Sequence, residues 1–117
     1  MSDLKIHVGE SLEAAGKRFA AAWNRAESGE QAVEHHLSFD SFETLARVLT
    51  PKRLELLRRV HAEPCASIAH LARTLKRDYK RVHEDVEALV RVGLIAREPG
   101  HSALTAPYDE IQTTIAM

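Results

Sequence analysis

The chain has 117 residues, 44% of them apolar, and a formal net charge of −1, enough to bury one modest core, so we expect one compact domain with an N-terminal extension and not two independent domains. No segment approaches ~20 consecutive apolar residues, and the start, MSDLKIHVGE, has no apolar run of signal length, which speaks against a membrane-spanning helix and for the cytoplasm. The single cysteine, Cys65, excludes an internal disulfide and agrees with a reducing compartment.

Leu4-Lys5-Ile6-His7-Val8 alternates as a short strand does, and Gly9 ends it. Ser11 then opens a helix running to about Ser28, with Leu12, Ala15, Phe19, Ala22 or Trp23, and Ala26 on one stripe and Gly29 as its stop. That stripe is either a dimer surface or the side that packs on the domain's own core, and sequence alone favours neither. Residues 34–39, EHHLSF, fit a strand. Asp40 and Glu43 make a D-x-x-E capping box for a helix over 41–49, and Thr50-Pro51 restarts the helical path, with Thr as cap and Pro at the first position. Leu54, Leu57 and Val60 of this next helix are expected in the core.

The most specific stretch is 67–98, SIAHLARTLKRDYKRVHEDVEALVRVGLIARE. Ser67 caps a helix with Ile68, Leu71, Ala72 and Leu75 on one face. After the turn Lys76-Arg77-Asp78, Asp78 caps a second helix whose buried stripe is Val82, Val86, Leu89 and Val90, closed by Gly93. Two short helices joined by a three-residue turn make a helix-turn-helix. Leu94 to Arg97 then changes to strand character, Pro99-Gly100 supplies a turn, and 102–105 returns, which reads as a hairpin wing. Tyr108 to Ile115 is of strand type and pairs either near the N-terminal strand or with the wing.

The order helix, helix, hairpin, with VxxDVxxLVxxGLI at 82–95, resembles the winged helix-turn-helix regulators of the MarR and ArsR type over about residues 39–98. The run FDSFETLARVLTPKRLELLRRV at 39–60 is similar to a narrower set of small regulators encoded beside toxin genes as their antitoxins. With this resemblance we expect a mainly α protein with a small β component, in which 39–117 are a winged helix-turn-helix domain and residues 1–38, with their amphipathic helix, a dimerisation extension. It further implies a homodimer that binds double-stranded DNA and represses its own promoter, with a toxin as second protein partner.

Charge is unevenly spread. Residues 50–98 hold 11 Lys/Arg against 7 Asp/Glu, a net +4, while 1–49 carry −3 and the tail from 99 carries −2. A basic segment between acidic flanks suits phosphate binding on one face, and it equally fits a solvated helical surface. If the second helix enters a major groove, its buried stripe leaves Arg77, Tyr79, Lys80, Arg81, His83 and Glu84 to read DNA. Tyr79 lies near the apolar stripe, so partial burial competes with that role. Glu84 and Glu87 are also placed to pair along the helix with Lys80 and Arg91. In the wing, Arg97, His101 and Ser102 are the contact candidates, and Arg58, Arg59 and Arg73 are phosphate contacts or solvated surface.

Seven histidines and one cysteine raise the question of a metal, but His35 and His36 are adjacent, so on a strand they face opposite sides, and Cys65 has no CxxC partner. We expect no metal and no other cofactor. No nucleophile elbow, P-loop or dinucleotide fingerprint occurs, so we expect no enzyme. The rival to a DNA-reading regulator is a protein-interaction module, such as an antitoxin that acts mainly by covering its partner.

Overall fold

The computed structural model describes residues 3–27, 35–97, 100 and 103–117. Among them the protein is a mixed α/β structure with five helices and small sheets, about 53% helical. No described helix is long and apolar enough to cross a membrane. The chain divides into two compact units, Ala46–Asp109 and Asp3–Leu45 with Glu110–Met117. This replaces the expected single domain with a 1–38 extension: residues 39–45 and 110–117 belong with the N-terminal segment, because the last strand pairs with the first.

In the unit formed by Asp3–Leu45 and Glu110–Met117, β1 (Asp3–Val8) is the middle strand of a parallel sheet of order β2-β1-β5. Parallel neighbours need a crossover, and α1 (Leu12–Glu27) supplies it between β1 and β2 (His35–Phe39). Ile6 lies beside Leu37 on one side and Thr113 of β5 (Glu110–Ile115) on the other. A central strand is shielded on both edges, and its alternation is correspondingly clean, with Leu4, Ile6 and Val8 all buried. Gly9, at φ 71°, turns the chain out of β1, and its N–H donates to Phe39 O at 3.0 Å.

Ser11 caps α1 by accepting from Ala14 N at 3.1 Å; the expected stop, Gly29, lies outside the described residues. On the polar side of the sheet His36 stacks on His7, ring centroids 5.0 Å apart, with Nδ1 2.8 Å from His7 Nε2. His7 Nδ1 lies 3.4 Å from Glu10, whose carboxylate also accepts from Arg18 and Ser38. The helix α2 (Phe42–Val48) is capped by Ser41, which accepts from Thr44 N at 3.3 Å. The Asp40–Glu43 box is thus corrected by one residue: the helix starts at Phe42, so the position before it is Ser41.

The other unit is built on α3 (Pro51–Ala62), α4 (Ile68–Leu75) and α5 (Tyr79–Arg91). Each starts on the residue its sequence predicts: Thr50 accepts from Arg53 N, Ser67 from His70 N and Asp78 from Arg81 N, at 3.1–3.2 Å. The buried residues of α3 are Leu56, Leu57 and Val60, so Leu56 takes the place expected of Leu54, which is only half-buried. Lys76, at φ 54°, closes α4 in the left-handed conformation, and Gly93, at φ 87°, closes α5. Leu94 and Ile95 then bury against the unit's core before β3 (Ala96–Arg97) pairs antiparallel with β4 (Leu104–Thr105). Cys65 joins the far side of β4 through two backbone bonds with Leu104, at 3.1 and 2.7 Å.

Candidate nucleic-acid interface

Val82, Val86 and Leu89 are fully buried, and this fixes the rotation of α5 about its axis. The opposite side and first turn carry Tyr79, Lys80, Arg81, His83 and Glu84, all exposed. Tyr79 is 52% exposed, which decides against its burial as a staple; its ring tilts against His83, centroids 6.0 Å apart. These five expected residues therefore share one solvent-facing surface at the start of α5. Among the described residues Lys80 and Glu84 form no ion pair within 4.0 Å, contrary to the expected helix-surface pairing, so Lys80 is unengaged by that neighbour.

Arg77 is placed differently. Its Nη2 donates to Asp85 Oδ2 at 2.7 Å while Arg53 Nε donates to Asp85 Oδ1 at 3.0 Å. Arg53 Nη1 also donates to the carbonyls of Arg47 and Val48 at 3.2 and 3.0 Å, closing the end of α2. Only 19% of the Arg77 side chain is exposed. Its guanidinium is thus a brace between the α4–α5 turn and the middle of α5, and it stands apart from the surface that holds Lys80 and Arg81. The clue in the sequence was Asp85 itself: an acid next to Val86, on the margin of the apolar stripe, is positioned for arginines arriving from neighbouring elements.

Arg97 on β3 donates from Nη2 to Glu87 Oε1 at 2.7 Å, and His83 Nε2 lies 3.8 Å from the same oxygen. The hydrogen bond from Arg97 holds the Glu87 carboxyl below its usual range. The Glu87–Arg91 pair expected from four-residue spacing gives way to this longer-range one, because β3 carries a guanidinium to the side of α5. His101 and Ser102 lie outside the described residues. Arg58 and Arg73 are exposed, whereas Arg59 reaches back to Glu63, Nη2 to Oε2 3.5 Å.

Among the described residues no three His, Cys, Asp or Glu side chains are grouped to hold a metal ion. His61 instead links α3 to the segment after β4, with Nδ1 2.7 Å from Ala106 O and Nε2 3.3 Å from Asp109 Oδ1. The structural division keeps the same charge segregation: Ala46–Asp109 holds 12 Lys/Arg against 8 Asp/Glu, and the other unit 4 against 9.

The sequence model of the HVO_A0114 family matches residues 48–113, more than half of the chain. The chain belongs to the HVO_A0114 family. No curated protein and no solved structure matches it. The part shared with the HVO_A0114 family takes in α3, α4, α5 and the β3–β4 pair, and with them every candidate contact residue; β1, α1 and β2 precede it. In this HVO_A0114 protein the candidate surface and the brace around Asp85 therefore both lie within the family's own segment.

Proposed function

We propose that the protein is a winged helix-turn-helix DNA-binding regulator, a repressor that inserts α5 into the major groove. The observation that carries this reading is the surface at the start of α5, where Tyr79, Lys80, Arg81 and His83 are exposed together opposite a fully buried stripe. A helix presented this way offers base edges the side chains that read them, and its first turn reaches flanking phosphates. Lys80 and Arg81 serve phosphates and guanine edges, His83 donates to a base or phosphate, and Tyr79 supplies contact area beside it. The β3–β4 pair, widened by the Cys65–Leu104 bridge, supports the wing assignment, with Arg97 at its edge. The net +4 of Ala46–Asp109 favours the same face for DNA.

A second reading, an interaction module that binds a protein such as a toxin and touches DNA weakly, is favoured by Arg97, whose guanidinium is already held by Glu87. An electrophoretic shift with the protein's own upstream DNA and a scrambled control, at two salt concentrations, separates the two. Selective binding that weakens with salt, and is lost in the Lys80→Ala/Arg81→Ala double variant with its thermal unfolding unchanged, supports the regulator. Equal, weak binding to both DNAs, or a double variant with wild-type affinity, refutes it.

A further inference from the structure

Helix α1 carries Leu12, Gly16, Phe19 and Trp23 at intervals of four, three and four, the spacing of a coiled-coil seam. This seam faces outward: Leu12 is 93% exposed, Phe19 69% and Trp23 59%. We propose that it is a self-pairing surface, occupied by α1 of a second copy of this chain running antiparallel. The pairing stands on α1; only its role, setting two α5 helices on a two-fold operator, rests on the DNA reading above.

Several features specify a second copy. With a two-fold axis near Phe19, each Gly16 faces Trp23 of the other copy, so the smallest residue of the seam receives the largest. A Cβ built on Gly16 meets nothing within 4 Å, so packing inside one copy gives no reason for a residue that weakens a helix interior; close approach of another backbone does. Shallow grooves lie on both sides of Phe19, one lined by Ala20, Trp23 and Asn24 along α1 and the other by Ala15, Arg18 and Ala22 together with His36 of β2. Knobs and holes thus occur on the same face, as an isologous interface requires.

The polar groups are compatible with burial there. Trp23 Nε1 already donates to Glu27 Oε1 at 2.8 Å, so covering the indole strands no donor. Glu13 and Lys17 neutralise one another on the flank at 3.3 Å. Leu12, Phe19 and Trp23 together leave roughly 400 Å² of apolar surface per copy, about half of what each side of a stable interface contributes. The small residues that line the grooves add to this area.

Sedimentation equilibrium of the full chain tests the pairing, with Phe19→Glu and Gly16→Glu compared to wild type and helicity followed by circular dichroism. The expected result is a wild-type dimer and, for each variant, self-association weakened by about a hundredfold or more with helicity unchanged. Gly16→Glu keeps the test decisive, since its side chain enters open space in a single copy. A monomeric wild type, or a dimer that persists in either variant, overturns the proposal. A dimer that fails to shift its DNA overturns the regulator and leaves the interface standing.

Discussion

Arg77 Nη2 donates to Asp85 Oδ2 at 2.7 Å, tying the turn before α5 to the middle of that helix. Arg53 occupies the other carboxylate oxygen, so one acid holds α3, the α4–α5 turn and α5 in fixed relation. The exposed surface at the start of α5 is only as well aimed as this brace allows.

Removing the brace has a measurable cost. Asp85→Ala leaves two half-buried guanidinium groups without their counter-charge, and we expect a loss of about 2 kcal/mol, between the values for exposed and buried pairs. Urea denaturation checks it, and a change under about 0.5 kcal/mol would show that the arginines are satisfied elsewhere.

On the DNA reading proposed above, Glu87 would compete with DNA for Arg97. Glu87→Gln breaks an exposed ion pair and is expected to change stability little, while freeing Arg97 and removing a negative charge beside His83. Affinity for DNA should rise by roughly threefold, and its salt dependence should steepen by about one phosphate contact. Unchanged affinity and slope would place Arg97 away from the DNA.

Acid should loosen the sheet unit in two stages. Burial, with Arg18 next in effect, lowers the His7 pKa from its usual 6.5. The unfolded chain therefore takes up that proton first, and stability present above pH 6.5 is lost as the pH falls below it. The hydrogen bond from Arg18 lowers Glu10 from 4.5, so the stability that carboxylate contributes is lost at lower pH, below 4.5. Urea midpoints measured from pH 8 to 3 should show both stages, and His7→Gln should flatten the upper one alone. An unchanged upper stage in that variant would assign it to another histidine.

Cys65 is a probe of opening in the other unit. It is buried, and burial raises its thiol above the usual 9.0. Iodoacetamide at pH 8 should therefore modify the native protein at least ~100-fold more slowly than the urea-unfolded chain. Comparable rates would mean that the Cys65–Leu104 bridge opens readily.

What was legible in the sequence was local. Ser67, Asp78, Thr50 and Gly93 mark helix ends through bonds that span three or four residues, and Val82, Val86 and Leu89 share a face because the helical repeat places them there. The exposure of Lys80, Arg81 and His83 follows from that stripe. The cap of α2 was missed by one residue, since Asp40, Ser41 and Glu43 offer overlapping signals and only the helix start chooses among them.

The tertiary structure decided which distant residues meet. The parallel pairing of β5 with β1, about a hundred residues away in sequence, turns the expected appendage into a sheet unit, and no periodicity within either strand encodes its partner. Arg77 looked like a groove contact from its place in the turn, yet Asp85 draws it inward; Arg97 looked free, yet β3 delivers it to Glu87. Sequence by itself determined which segments become helix or strand and which face each buries, because capping and periodicity act over a few residues. Only the folded chain decided strand partners and charge partners, because those depend on distances that hydrophobic burial sets across the whole unit.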